Sequence, residues 1–300
     1  MQVFVTGGTG YIGKTLISEL MDAGHGVVAL TRSTDKAPML ESLGAIPLEG
    51  NLHQPGTWRR AAAEADAAIH AAFDYGAPEK GDRAALDALL EATAEGGGHL
   101  IYTSGCWVVG DTGGEVVGDD APTDRPAEIV RWRVPHEREV VGASREDRPA
   151  AVVRPGIVYG REGGLVARMF ETARDTGAAE FVGGGFNHWS LVHVDDLARL
   201  YRIVLEEGAE GIVQAVDGEP TRVADVAGSA SLAAGAGGET RPVPLEDAGA
   251  RIGAMADALC LDQRLSAPKA RELGWEPERE SFTEAVYDAY AEWEAAAGGE

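Results

Sequence analysis

Residues 2–13 read QVFVTGGTGYIG, and the predicted architecture is built outward from them. QVFVT is a short run rich in apolar and β-branched residues, which predicts a strand. KTLISELMDAG, at 14–24, has apolar residues at helical spacing and ends on a glycine, which predicts a helix and its end. GVVALTRS, at 26–33, predicts a second strand. These segments form a βαβ unit with a glycine-rich turn between the first strand and the helix.

The alternation of strands and helices continues to Gly160. Strands that alternate with helices pair in parallel through right-handed crossovers, so we predict an α/β fold with a doubly wound parallel sheet, the Rossmann arrangement. Beyond Gly160 the pattern is less regular, which predicts a small discontinuous C-terminal lobe. The predicted boundaries are 1–160 plus about 190–217 for a dinucleotide-binding domain, and about 161–189 plus 218–300 for a substrate-binding lobe.

The glycines at 7, 10 and 13 let backbone N–H groups approach a pyrophosphate at the helix N-terminus. A tight turn without a ligand is the alternative, but the βαβ context favours a dinucleotide site. An acidic residue at the end of the second strand would favour NAD, whereas Arg32 can pair with the 2′-phosphate of NADP. We therefore expect NADP(H). NAD(H) stays open because Asp35 lies nearby and because Arg32 is equally consistent with a solvated surface residue.

The charge of the chain is strongly negative, with 49 acidic and 26 basic residues and a net charge of -23. Such a surface repels phosphates, so we expect no nucleic-acid partner. The acids are scattered, which favours a halophilic source, with an ordinary acidic protein as the alternative. The sequence predicts no signal peptide and no membrane span. Cys106 and Cys260 form no CxxC pair, so a reducing, cytoplasmic location is expected.

Several further segments complete a resemblance to the extended short-chain dehydrogenases/reductases, the NAD(P)-dependent epimerase/dehydratase family. Besides TGGTGYIG, the matching segments are Asn51-Leu52, His70-Ala71-Ala72, Ile101–Ser104, Arg154–Gly160 (RPGIVYG) and Val192–Ala198 (VHVDDLA). The resemblance implies an adenine contact at 51–52, a phosphate and ribose contact at 71–72, and a nicotinamide side near 155–158. The cofactor-binding candidates are Gly7, Thr9, Gly10, Tyr11, Ile12, Gly13, Arg32, Asn51, Leu52, Ala71, Ala72, Thr103, His136, Pro155, Ile157 and Val158.

The stretch VRWRVPHERE, at 130–139, departs from this family at the catalytic positions. The family has a Tyr that exchanges a proton and a Lys four residues later that lowers its pKa; this chain has Trp132 and His136 there. An indole N–H only donates, so Trp132 cannot replace the Tyr. No tyrosine in the sequence is followed by a lysine four residues later, so a shifted alignment does not restore the pair.

Other groups could then handle the proton. Histidine is a common proton-exchanging residue, and His136 takes the matched Lys position, although a solvated helix residue is its alternative. The Ser or Thr position of the family falls on Gly105, with Ser104 just before it. We expect His136, Ser104 and Tyr159 as catalytic candidates. Cys106 and His188 are further possible helpers.

Two functions follow from this pattern. The first is an NAD(P)-dependent oxidoreductase or epimerase that acts on a small carbonyl or hydroxyl compound, or on a nucleotide sugar. The alternative is a non-catalytic NAD(P)H-binding sensor, in which Trp132 is only a hydrophobic wall. We expect no metal at His193–Asp196 and no membrane partner. By resemblance, the helices predicted at 81–97 and 127–143 could pair in a homodimer.

Overall fold

A seven-stranded parallel sheet forms the centre of the molecule in the computed structural model, which describes residues 1–279 and 281–297. In chain order, the strands are β1 (Gln2–Thr6), β2 (Gly26–Thr31), β3 (Ile46–Glu49), β4 (Ala67–His70), β5 (His99–Thr103), β6 (Val116–Val117), β7 (Ala150–Pro155), β8 (Ile157–Tyr159), β9 (Ala179–Val182), β10 (His188–Trp189), β11 (Leu191–His193), β12 (Gly211–Ala215), β13 (Thr221–Arg222), β14 (Thr240–Val243) and β15 (Arg264–Leu265).

Helices cover both faces of this sheet and build the rest of the chain. They are α1 (Tyr11–Asp22), α2 (Ala37–Ser42), α3 (Arg59–Ala63), α4 (Pro78–Gly96), α5 (Arg133–Ala143), α6 (Gly164–Thr176), α7 (Val194–Glu206), α8 (Val223–Ala233), α9 (Leu245–Ile252), α10 (Met255–Leu259), α11 (Pro268–Glu272) and α12 (Phe282–Ala297). None of the helices in the described part of the chain has the length and apolar character that crossing a bilayer requires.

The order of the sheet is β12-β7-β5-β4-β1-β2-β3, and every neighbouring pair is parallel. The chain runs outward from β1 to β3, then returns to β4 on the other side of β1. The loops after β1 and β4 therefore leave in opposite directions and open a crevice at the carboxyl ends of these strands. This topology confirms the predicted doubly wound α/β fold.

The central strands are apolar on both faces because both faces are covered. In β1, Val3, Phe4 and Val5 are fully buried. Val3 and Val5 belong to one hydrophobic cluster, and Phe4 belongs to another on the opposite face. Burying a side chain of this size stabilises the fold by roughly 1.5–3 kcal/mol. A continuous apolar strand thus holds two layers of helices at once.

The C-terminal region adds small paired strands around the carboxyl side of the sheet. β9 pairs with β14, β8 with β11, and β10 with β13. The predicted lobe at 218–300 includes residue 280 and residues 298–300, which lie outside the described residues. Two contacts join the described part of this lobe to the predicted cofactor domain. The helix α11 contacts β12, and Trp275 Nε1 donates to the Asp196 carbonyl oxygen at 2.8 Å. This part of the C-terminal segment therefore packs back onto the central sheet domain.

The helix predicted over 127–146 is shorter in the structure. A separate 3-10 turn spans Glu128–Val130, and α5 begins at Arg133. Pro135 explains the difference, because proline lacks an N–H and fits a helix only in its first turn. Trp132 is therefore the residue that precedes α5, not a residue in the middle of a longer helix.

Candidate active site

The glycine-rich turn leads from β1 into α1 at the crevice. Gly7 has a φ of 78°, a left-handed conformation that glycine adopts without strain. A Cβ atom on Gly7 would lie 2.6 Å from the Ala71 backbone, and one on Gly13 would lie 2.0 Å from the Gly7 carbonyl oxygen. Gly10 has no side chain to cap α1, which leaves the first N–H groups of the helix available to a phosphate. The turn fits a dinucleotide held close to its backbone.

A cavity of about 360 Å³ opens over this turn. Small-ligand sites in proteins typically have volumes of roughly 300–1,000 Å³. Most of the cofactor-binding candidates line the cavity, namely Gly7, Thr9, Gly10, Tyr11, Ile12, Gly13, Arg32, Asn51, Leu52, Ala71 and Ala72. The remaining lining residues are Leu30, Lys36, His53, Phe73, Asp74 and Tyr75.

Charged side chains border the end of this cavity beyond β2. The Arg32 side chain is 71% exposed, with Nη1 3.8 Å from Asp74 Oδ1. His53 Nε2 lies 2.8 Å from the other oxygen of Asp74, and this hydrogen bond is the main cause that lowers the pKa of Asp74. Lys36 lines the same end, whereas Asp35 does not line the cavity. Lys36 and His53 are not among the residues predicted from the sequence, and their positions shortly after β2 and β3 are the signal for them.

Five cofactor-binding candidates lie on the opposite side of the crevice and do not line this cavity: Thr103, His136, Pro155, Ile157 and Val158. The Thr103 hydroxyl is 2.6 Å from the Tyr201 hydroxyl, so its side chain points toward α7. Ile157 and Val158 pair with β11. Thr103 and Pro155 are the last residues of β5 and β7, and β4 separates β5 from β1, the strand that leads into the glycine turn.

Ser104 follows β5 at this end of the sheet. Its backbone N–H donates to the Val153 carbonyl oxygen at 2.8 Å, which fixes the residue beside β7. Its Oγ is enclosed and has no hydrogen-bond partner in the described part of the chain. An unsatisfied buried hydroxyl costs free energy, roughly 1–3 kcal/mol. The Ser104 hydroxyl is thus both enclosed and unpaired among the described residues, and its catalytic role stays a prediction.

A buried hydrogen-bond network centred on Asp82 lies beside these strand ends. Asp82, in α4, contacts His136 Nδ1 at 2.7 Å through Oδ2 and His70 Nε2 at 3.2 Å through Oδ1. The Tyr102 hydroxyl donates to Oδ2 at 2.7 Å. Thr6 Oγ1 lies 2.7 Å from His70 Nδ1 and extends the network to β1. Asp82 is not among the residues predicted from the sequence, although its position one turn before the apolar residues of its helix face was a signal for it.

The charge of Asp82 fixes the protons of its neighbours. Burial would raise the pKa of Asp82, but the hydrogen bonds with His136 and His70 outweigh burial and hold the pKa well below its ordinary value. An ionised carboxylate only accepts hydrogen bonds, so His136 carries a proton on Nδ1. Burial raises the pKa of Tyr102, so its hydroxyl remains a donor. His136 Nε2 has no partner among the described residues and is not fully enclosed. Nε2 is the nitrogen that can exchange a proton with a ligand.

Tyr159 lies elsewhere. Its side chain is fully buried in β8, with ring centroids 5.1 Å from His193 and 5.0 Å from Phe282. Burial raises the pKa of Tyr159 well above its ordinary value. Because the side chain is fully buried up to its hydroxyl, this placement argues against the predicted catalytic role of Tyr159. The RPGIVYG segment places this tyrosine in the core.

Cys106 and His188, the two further catalytic candidates, are also unsuited to proton exchange with a ligand in the cavity. Burial raises the pKa of the Cys106 thiol to about 12, so the thiol stays protonated. His188 Nδ1 lies 2.8 Å from Asp262 Oδ1, in the region of β10. Neither residue lines the cavity over the glycine turn.

A group of possible metal ligands occurs near His193, where the sequence predicted no metal. Ligand atoms of His193, Asp195 and Glu292 lie within 4.8 Å of one another. Arg161 Nε donates to Asp195 at 2.8 Å, and Arg279 Nη2 lies 3.2 Å from Glu292. These arginines already neutralise both carboxylates, so the geometry is that of an ion-pair network.

Comparisons with known proteins agree with the fold and the glycine turn. The model of the NAD dependent epimerase/dehydratase family matches residues 3–216. An uncharacterized protein of Saccharomyces cerevisiae is 31% identical over 307 residues, which cover 97% of this chain and 99% of the yeast protein. The 2-alkyl-3-oxoalkanoate reductase of Stenotrophomonas maltophilia is 28% identical over 278 residues, which cover 86% of this chain and 83% of the reductase.

A solved structure has the same fold. The UDP-glucose 4-epimerase of Thermus thermophilus, in complex with NAD, superposes with a TM-score of 0.80 at 24% identity, covering 99% of this chain and 100% of the epimerase. The match to the family model confirms the resemblance found in the sequence. Since the family model covers more than half of the residues, the chain belongs to the NAD dependent epimerase/dehydratase family.

Proposed function

We propose that the chain is an NAD(P)-dependent oxidoreductase that interconverts a carbonyl and a hydroxyl group on a small compound. The observation that carries this proposal is the 2.7 Å hydrogen bond between Asp82 and His136 Nδ1. It supports the proposal because it orients His136, the residue that the resemblance matches to the Lys of the proton-exchanging pair. The relative from Stenotrophomonas maltophilia, named as a reductase, supports this class of chemistry.

The residues that would hold the cofactor are the glycine turn at 7–13 and the segment Ala71-Ala72. A nicotinamide cofactor supplies or accepts a hydride when it is bound. Arg32 and Lys36 border the far end of the cavity, where they would pair with a 2′-phosphate. The acid that favoured NAD, Asp35, does not line the cavity. We therefore propose that NADP(H) is preferred over NAD(H).

His136 would exchange the proton that accompanies the hydride. With Nδ1 held by Asp82, the lone pair of Nε2 can accept a proton from a substrate hydroxyl. In the reverse direction, the imidazolium donates a proton to a carbonyl oxygen, and the Asp82 carboxylate stabilises the imidazolium charge. Asp82 acts through His136 and is a positioning residue. His70 and Tyr102 hold Asp82 in place.

The test is the rate of NADPH and NADH oxidation with a panel of ketones and aldehydes in molar KCl. Replacement of His136 by Gln should lower kcat by roughly 100-fold or more, because general acid–base catalysis contributes about 10²–10⁴-fold. Cofactor affinity should change little. His25→Gln is a matched control, because His25 pairs with Glu206 at the other end of the sheet. Equal turnover by the His136 and His25 variants would remove His136 from the mechanism.

A non-catalytic NAD(P)H sensor is the second candidate. The observation that favours it is the burial of His136, which is only 4% exposed beneath the Trp132 ring at 5.4 Å between ring centroids. A sensor should bind NADPH saturably, oxidise none of it with any compound of the panel, and leave His136→Gln with unchanged cofactor affinity. Turnover of any compound by the wild type would exclude this candidate.

A further inference from the structure

Arg133 is a buried cation at the same end of the sheet. It is the first residue of α5 and is 8% exposed. Nη1 donates to the Thr103 carbonyl oxygen at 2.6 Å, at the carboxyl end of β5. The guanidinium carbon lies 4.8 Å from the Trp132 ring centroid and 5.6 Å from that of Phe73. Phe73 lines the cavity over the glycine turn, so one aromatic ring connects the guanidinium to the lining of that cavity.

In the described part of the chain no carboxylate forms a direct ion pair with this guanidinium, although its charge is one of the causes that lower the pKa of Asp82 from a greater distance. Within residues 1–279 and 281–297, no acidic oxygen lies within 4.0 Å of an Arg133 nitrogen. The nearby acids have other partners: Asp82 binds His136, His70 and Tyr102, and Glu137 binds Arg154. This is unexpected in a chain with 49 acidic and 26 basic residues. A buried charge without a partner is costly, and one hydrogen bond to a neutral carbonyl offsets little of that cost.

The remaining donors of Arg133 are open to a ligand. Nε and Nη2 make no hydrogen bond to the described residues, and neither is among the enclosed polar atoms that lack a partner. The guanidinium is planar and presents two parallel N–H groups that match a carboxylate or a phosphate. His136 follows three residues later, on the same side of the helix. An anion bound by Arg133 would therefore lie close to the proton-exchanging nitrogen.

We propose that Arg133 binds an oxyanion, and specifically the carboxylate of an oxo or hydroxy acid substrate. This inference rests on the proposed function, since it names the substrate class of the same site. The same chemistry could come from a phosphate of the cofactor. The experiment therefore measures the two ligands separately.

The test titrates malonate and acetoacetate into the full-length protein saturated with NADP⁺, at constant ionic strength. Tryptophan fluorescence, to which Trp132 beside Arg133 contributes, and calorimetry report binding, and neither requires turnover. The wild type should bind both acids, and Arg133→Gln should weaken binding by roughly 10–100-fold, as expected for the loss of charged hydrogen bonds. Malonamide, which has no charge, should not bind. Arg133→Lys should retain part of the affinity, because lysine keeps the positive charge but lacks the two parallel N–H groups of the guanidinium.

Arg131→Gln is the matched control. Arg131 lies two residues earlier, is 67% exposed in its side chain and pairs with Glu128. Its variant should bind malonate like the wild type. Thermal unfolding of each variant shows whether it is folded. If Arg133→Gln is not folded, the comparison with the wild type uses Arg133→Lys instead.

Three results would overturn the proposal. They are no saturable binding of either acid by the wild type, equal binding by Arg133→Gln, or a loss of NADPH affinity in that variant with unchanged malonate binding. The last result would assign the oxyanion to the cofactor. Failure of the proposed function looks different: malonate binds through Arg133, but the ketone panel, including acetoacetate, gives no turnover.

Discussion

The ion pair between Arg154 and Glu137 allows a quantitative prediction of stability. Arg154 Nε donates to Glu137 Oε1 at 2.9 Å, and Nη2 donates to Oε2 at 2.6 Å. The two side chains are 4% and 3% exposed, respectively. The pair ties α5, which carries His136, to β7. Glu137→Gln keeps the shape of the side chain but removes the charge, so it leaves Arg154 buried and unneutralised.

Removing one partner of a buried pair typically costs about 3–5 kcal/mol of unfolding free energy. For a chain longer than 250 residues, each kcal/mol of lost unfolding free energy lowers the thermal midpoint by about 2 °C. The thermal midpoint of the variant should therefore fall by roughly 6–10 °C. The effect should persist in molar KCl, because buried charges are screened far less than surface charges. Urea unfolding of the wild type and the variant, in low and in high KCl, measures the loss of unfolding free energy.

Two further variants make the result interpretable. Glu64→Gln disrupts a pair with Arg60 whose side chains are 62% and 89% exposed, so it should shift the midpoint far less. The double variant Glu137→Leu/Arg154→Met removes both charges and should be more stable than Glu137→Gln. The reasoning would be refuted if Glu137→Gln lost less than about 1 kcal/mol, or if the double variant were the less stable of the two.

Three other predictions concern the cofactor turn, its specificity and the pH dependence of stability. Gly13→Ala should abolish saturable NADPH binding or unfold the protein, because its Cβ would lie 2.0 Å from the Gly7 carbonyl oxygen; fluorescence titration and circular dichroism check this. Arg32→Ala should lower NADPH affinity by roughly tenfold and leave NADH affinity nearly unchanged, as the loss of one charged hydrogen bond implies; an equal loss for both cofactors would contradict the NADP assignment. Burial raises the pKa of Asp217 to about 8, so the folded state holds this proton more tightly than the unfolded state does. This stabilisation is complete below about pH 4 and is lost as the pH rises to 8. Asp217→Asn should therefore gain stability relative to the wild type by a few kcal/mol more at pH 8 than at pH 5, and a pH-independent difference in urea unfolding would contradict the assignment.

The halophilic prediction from the acidic composition is tested by the same unfolding experiments. With a net charge of -23, self-repulsion should destabilise the protein in low salt and weaken in molar KCl. Equal stability in both would favour an ordinary acidic protein.

The sequence by itself determined the elements and the cofactor turn. The alternation of strands and helices depends on the spacing of apolar residues within a few positions. The cofactor turn depends on the glycines that separate the first strand from the first helix. Both are local properties, so most residues predicted to hold the cofactor do line the cavity over Gly7–Gly13. Pro135, also a local signal, was sufficient to show that α5 begins late, although the sequence analysis extended that helix to 127.

Only the tertiary structure decided which side chains meet. Asp82 contacts His136 from a position 54 residues earlier in the chain, and this contact depends on the β4-β5-β7 order, which brings α4 beside α5. Among the described residues, the same packing leaves Arg133 without a direct ion pair and buries Tyr159 away from the cavity. Successive side chains in a strand point to opposite faces, so a family motif can match in sequence while its tyrosine faces the core. Long-range packing and side-chain direction, which no local spacing encodes, therefore set the chemistry of the site.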